Sequence, residues 1–335
     1  MKCKKLAAVI CALAVIGAAA VSAADTRSLQ HADFLNQTDF LLKGDSPTAA
    51  FDMDCNDKVN AMDLVMMKRI ELAENVRYRD SVFDSVSVEK DIVFSQTKDY
   101  QDNSIDLALD LYQPESDSAA YRPAVIFVHG GGMYTGSKDS EWDPLVSLAT
   151  DLARKGYVCL SIDYRLNPEW EATGAFNETM KNAAEDVASA VNWVRANADT
   201  YRINADYIAL AGYSAGAEIV DNLYFSDRLV NAADFDKQGI RAVISISGNR
   251  LFFDSSACSG DPHTKCLILH GDADTINPYS DAEKFLAQLG AQGEMQTLSG
   301  NSHFWTETDE QQLFLKHHIT DFLIRNLFAN YAEGE

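Results

Sequence analysis

A mainly parallel sheet flanked by helices, the α/β class, is what this 335-residue sequence predicts, and three observations predict it. From about Ser87 onward, short apolar runs alternate with longer helical ones, as in successive βαβ units. The short runs are apolar throughout, which is the pattern of strands buried on both faces. Hydrophobic residues make up 47% of the chain, enough to fill a substantial core.

The elements follow in order. "IDLALDLYQP" alternates and reads as an early strand of a hairpin; "AVIFVHGGG" and "YVCLSIDYR" read as buried strands. "AAEDVASAVNWVRANA" places Val187, Val191, Val194 and Ala198 on one face, so it reads as a helix packed on the sheet. "YIALAGYS", "IRAVISISG" and "KCLILHGDAD" read as further strands. "SDAEKFLAQLGAQG" and "DEQQLFLKHHITDFLIRNLF" read as helices.

The first 75 residues differ in character. A basic start, an apolar stretch from Leu6 to about Gly17 and small residues at Val21 and Ala23 predict a signal peptide over 1–23 and an exported product. No other long apolar run suggests a membrane span. Residues 24–75 form a separate module, 76–86 a polar linker, and 87–335 the α/β domain. The net charge of −22 would repel phosphate backbones, so nucleic acid is excluded as a partner. Cys258 and Cys266 flank a loop that a disulfide could close in an exported protein.

Ser214 stands between Gly212 and Gly216 where a strand meets a helical run. Glycines leave room for a sharp turn that exposes Oγ, and helix N-terminal amides there favour developing negative charge. The three glycines after "FVH" end another strand and let backbone N–H groups approach a substrate oxygen closely. A serine needs a base to take its proton and an acid to orient that base. Asp272 and Asp274 follow a strand in "LILHGDADTINP", and His303 lies in "LSGNSHFW", in the chain order serine, acid, histidine. His129 reads as a brace for the glycine loop and His270 as structural. His317 and His318 fall within a helix, while His31 and His263 lack supporting context.

In the N-terminal module, Asp52, Asp54, Asn56, Asn60 and Asp63 occupy positions one, three, five, nine and twelve of a loop, and the Lys58 carbonyl fills position seven. Hard oxygen donors at this spacing predict a calcium site. Asp57 stands at position six, where glycine is usual, and aspartate tolerates a left-handed backbone better than most residues.

Taken together, "HGGG", "SIDYRLNPE", "GYSAG", "HGDAD" and "SH" resemble the α/β-hydrolase carboxylesterases of the hormone-sensitive-lipase and bacterial feruloyl-esterase type, over about residues 87–329. The resemblance implies the α/β-hydrolase fold and a hydrolase of carboxylic esters. Ser214 would be nucleophile, His303 base and Asp274 acid, the last because the family's acid stands three residues after the glycine of the "HG" pair. Gly131, Gly132 and Ala215 would supply the oxyanion-hole N–H groups. Tyr213 and Ala217 depart from the Asp and Gly that many relatives carry, and the short stretch after "AVISISG" leaves no room for a substantial lid. An open site suits bulky or polymer-borne esters.

The segment "DMDCNDKVNAMDLVMMKRIEL" resembles one calcium-binding half of a dockerin, with "FLNQTDFLLKGD" as the remnant of the other. That implies structural calcium, a cohesin-bearing scaffold as partner and a cell-surface or extracellular location. The combined expectation is a secreted esterase removing acetyl or feruloyl groups from plant polysaccharide. A general short-chain carboxylesterase, a peptidase-like hydrolase and a non-catalytic binding protein are the alternatives; the last would lack a triad member, and none is missing.

Overall fold

The computed structural model describes residues 76–140, 143–226, 235–248, 258, 261–303 and 308–327. The signal peptide, the dockerin-like module and all six calcium-loop positions, Asp52, Asp54, Asn56, Lys58, Asn60 and Asp63, lie outside the described residues. The chain divides at Arg77 and Tyr78 into two compact units, and the second carries the α/β architecture.

Among the described residues eight strands form one sheet in the order β1-β2-β4-β3-β5-β6-β7-β8. They are β1 Val86–Lys98, β2 Ser104–Pro114, β3 Arg122–Val128, β4 Val158–Ile162, β5 Ile203–Tyr213, β6 Ile240–Ile246, β7 Lys265–Gly271 and β8 Gly293–Leu298. β2 pairs antiparallel with both β1 and β4, and every other neighbour is parallel. Among the described residues five long helices cover the faces: α1 Leu145–Lys155, α2 Phe176–Ala196, α3 Ala215–Phe225, α4 Tyr279–Leu289 and α5 Asp309–Leu327.

The continuous apolar runs follow from this layering. In β3, Ala124, Ile126 and Val128 face the core under α2, α3 and α4, while Val125 and Phe127 face the core under α1 and α5. β5 divides in the same way, with Ile208 and Leu210 on one side and Ala209, Ala211 and Tyr213 on the other. Small residues on the second face let α5 seat Ile319, Phe322 and Leu323 close to the strands.

Several boundaries differ from the sequence reading. α2 begins at Phe176, well before Ala183, because Met180 and Ala183 extend its buried stripe; it ends at Ala196, and Ala198 falls in a separate helical turn. The helix expected over 280–293 stops at Leu289. Gly290 adopts φ +56° there, and "GEMQTL" becomes edge strand β8. Residues 78–86, expected as linker, belong to the compact unit: the Tyr78 ring meets Tyr157 edge-on at 5.1 Å, and Val82 and Phe83 donate backbone bonds to Arg154 O. Among the described residues no disulfide joins Cys258 and Cys266. Cys266 is buried in the core on β7, and burial holds its thiol well above the usual range, which disfavours the reactive thiolate. No described helix is long and apolar enough to cross a membrane.

Candidate active site

The strand ends that carry the motifs lie close together in the sheet, with β6 between β5 and β7. β3, β5 and β7 deliver the glycine loop, Ser214 and the acid loop to one edge, as parallel strands deliver their C-terminal loops.

Ser214 sits between β5 and α3 with φ +53° and ψ −121°, a conformation a serine adopts only under constraint. Two contacts explain how it is held. Its N–H donates to Ile246 O on β6 at 2.8 Å, and α3 begins immediately after it. A Cβ on Gly216 would stand inside the Val128 carbonyl, and one on Gly212 would strike the backbone of Gly216 and Ala217. Both positions therefore require glycine if the strand-to-helix turn is to close.

Ser214 Oγ lies 2.8 Å from His303 Nε2, and His303 Nδ1 lies 2.7 Å from Asp274 Oδ2. The other Asp274 oxygen accepts the N–H groups of Ile276 and Asn277, each at 2.9 Å. Burial pushes the Asp274 carboxyl up. Hydrogen bonds from His270, His303 and Asn277 outweigh it and hold the group well below the usual carboxylate range. The acid is ionised at neutral pH and faces the imidazole directly.

The loop bearing His303 is seated by close approach. Gly271 meets the backbone of Asn301 and Ser302 where any side chain would collide, and Ala273 donates to Asn301 O at 3.0 Å. Tyr213 Oη donates to His303 O at 3.2 Å, with the two rings stacked at 6.0 Å. Asp272, by contrast, is exposed and accepts bonds from Ser299 Oγ and Gly300 N, so it closes the turn and touches no triad member.

The glycine loop is braced from beneath. Burial lowers His129 to about 4, so its ring is neutral, and Nδ1 donates to Gly130 O at 2.7 Å. Tyr164 stacks on that ring at 4.3 Å and gives its hydroxyl to the carbonyls of His129 and Gly130. Trp170 Nε1 donates to Gly132 O at 2.8 Å. Gly131 and Gly132 both hold positive φ, at 103° and 61°. No described group accepts a hydrogen bond from the N–H of Gly131, Gly132 or Ala215, which leaves three donors for an oxyanion.

Of the other histidines, His263 is exposed in a turn, and His317 and His318 lie on α5. His31 lies outside the described residues. The sequence assigns no role to Tyr164, Trp170 or Asn277: Tyr164 and Trp170 bond backbone carbonyls of the glycine loop, and Asn277 offers its backbone N–H to Asp274 and its carbonyl to His270, contacts that only the fold shows.

Glu218, one turn into α3, is buried beside Asn277, and burial raises it to about 8 although the Asn277 amide opposes the shift. The folded state thus holds this proton more tightly than the unfolded chain, where a glutamate titrates near 4.3. Its contribution to stability is complete below that value and is lost as pH rises through about 8. Glu218→Gln is therefore expected to raise Tm above wild type by a few degrees at about pH 9, and to change it little at about pH 5, in thermal scans across pH.

Comparison with known proteins bears on the same region. Residues 109–249 match the BD-FAE family model, a stretch that contains the glycine loop and Ser214 but ends before Asp274 and His303. A solved structure of Thermogutta terrifontis esterase 2, phosphorylated by paraoxon, superposes with a TM-score of 0.54 at 19% identity, covering 72% of this chain and 94% of that one. The fold is the α/β-hydrolase fold. Among curated relatives, esterase LipC of Mycobacterium tuberculosis (strain ATCC 25618 / H37Rv) is 34% identical over 111 residues, 33% of this chain and 25% of that protein. Ethyl acetate hydrolase of Pseudomonas putida is 31% identical over 114 residues, 34% of this chain and 32% of that protein. The matched segments thus span a quarter to a third of these two relatives.

Proposed function

We propose that the protein is a serine carboxylic-ester hydrolase that works through an acyl-enzyme on Ser214. The observation that carries this reading is the continuous chain from Ser214 Oγ through His303 to Asp274, with links of 2.8 and 2.7 Å. Ser214 Oγ attacks the ester carbonyl carbon while its proton passes to His303 Nε2. The oxygen of the tetrahedral intermediate takes on negative charge against the N–H groups of Gly131, Gly132 and Ala215. Collapse expels the alcohol, which leaves with the proton from His303. Water, deprotonated by the same imidazole, then attacks the acyl group and releases the acid, restoring Ser214. Asp274 keeps the imidazole in the tautomer that accepts at Nε2 and stabilises the imidazolium.

Within that class the substrate reading is acetyl or feruloyl groups on plant cell-wall polysaccharide, hydrolysed by an exported enzyme attached to a cohesin-bearing scaffold. Its supports are the match to the BD-FAE model, the leader-like first 23 residues and the calcium-loop spacing from Asp52 to Asp63. The similarity to ethyl acetate hydrolase favours a second reading, a general short-chain carboxylesterase.

Rates on acetylated xylan, methyl ferulate and p-nitrophenyl butyrate separate the two. The polysaccharide reading expects the first or second to exceed the third in kcat/KM, and a preference for the butyrate ester with no release from xylan rejects it. The calcium reading has its own test. The full chain is expected to bind calcium in a calorimetric titration, and Asp52→Ala with Asp63→Ala is expected to abolish the heat while ester hydrolysis stays unchanged. Absence of binding at millimolar calcium would reject the loop as a metal site.

A further inference from the structure

His270, the last residue but one of β7, has its side chain fully buried. Its Nε2 lies 2.9 Å from Asn277 O and 3.3 Å from Asp274 Oδ2, the oxygen that also meets His303 Nδ1. Both neighbours are acceptors, so Nε2 carries the proton. Nδ1 has no hydrogen-bond partner among the described residues. That agrees with the same tautomer, since a buried lone pair left unmatched is tolerated better than a buried N–H.

We propose that His270 is a positioning residue for the triad: its Nε2–H is a second donor to Asp274 Oδ2, fixing that oxygen for His303 and moderating its pull on the imidazolium. The inference rests on the hydrolase reading above. The geometry gives His270 two tasks at once, because the same N–H grips Asn277 O while Asn277 N–H grips Asp274 Oδ1. The loop 274–277 is thereby clamped from both ends. An oxygen that faces two donors also stabilises the imidazolium less than an oxygen that faces one. Loss of the His270 donor therefore leaves Oδ2 to His303 Nδ1 alone and strengthens its hold on the imidazolium.

Other groups that face this pair are few among the described residues. The Tyr279 ring of α4 meets His270 at 6.0 Å, and Tyr213 of β5 stacks on His303. Glu218 of α3 reaches the loop through Asn277, and Asp272 is exposed and turned to Ser299 and Gly300.

The test is kcat and KM for p-nitrophenyl acetate across about pH 5 to 9 for wild type, His270→Phe, His270→Gln and His270→Asn. His270→Phe keeps an apolar ring and removes the donor. It is expected to lower kcat about tenfold with KM little changed, and to move the midpoint of the acid limb of kcat/KM upward by about half a unit to one unit. Glutamine carries an N–H near the Nε2 position and is expected to restore both; asparagine reaches only the Nδ1 position and is not. If His270→Phe does not fold, the contrast between glutamine and asparagine decides. Acid limbs that superimpose on wild type, with only Tm lowered, overturn the proposal and leave His270 a packing residue, as does equal behaviour of the glutamine and asparagine variants. An active Ser214→Ala would instead overturn the hydrolase reading itself, so the two failures are distinguishable.

Discussion

Ser214→Ala is expected to lower kcat for a p-nitrophenyl ester by about 10⁵- to 10⁶-fold with KM little changed. The hydroxyl is the atom that forms the covalent bond, and nothing else described at the strand ends can replace it. His303→Ala should fall to the same level, because without the base Ser214 Oγ keeps its proton. The double variant should be little worse than either, since the two side chains act as one unit through their 2.8 Å bond. What remains is the hydrolysis promoted by the N–H groups of Gly131, Gly132 and Ala215, about 10³-fold over water. Activity above about one per cent in a folded Ser214→Ala, outside contamination controls, is incompatible with this assignment.

Asp274→Asn carries the second largest expected effect, about 10⁴-fold in kcat. Asparagine fits the space but presents its amide N–H to His303 Nδ1, which favours the imidazole tautomer that cannot accept the serine proton. It also removes the negative charge that stabilises the imidazolium. Asp272→Asn should stay within about twofold of wild type, because that carboxylate is exposed and contacts Ser299 and Gly300. Steady-state rates of the two purified variants check the pair, and the opposite ranking would move the acid to Asp272.

Much of the sheet was legible because burial on both faces leaves a mark that needs no partner to read. "AVIFV" and "YIALAG" are apolar at every position, and each is a strand between two helical layers. β8 was not legible. It is an edge strand with half-exposed residues such as Glu294 and Gln296, so its composition differs little from the helix before it, and Gly290 alone marks the break. The residues Gly212, Ser214 and Gly216 were legible because local backbone crowding dictates them. The link from Asp274 to Asn277 was not, since it runs from a carboxylate to a backbone amide that any residue would supply. His270 illustrates the same limit: the sequence places it at a strand end, and only the fold shows that its ring reaches the carboxylate four residues later.

Stoichiometric labelling with paraoxon tests most directly whether Ser214 is the activated nucleophile. Attack by Ser214 Oγ transfers the diethylphosphoryl group to the serine and expels 4-nitrophenolate, with the serine proton passing to His303. An activated Ser214 is expected to release one equivalent of 4-nitrophenolate per chain and to add one diethylphosphoryl mass, on the peptide containing Ser214. No label is expected in Ser214→Ala, and a sharply slowed reaction in His303→Ala. A label on another residue, or equal labelling of wild type and Ser214→Ala, would rule out Ser214 as the nucleophile.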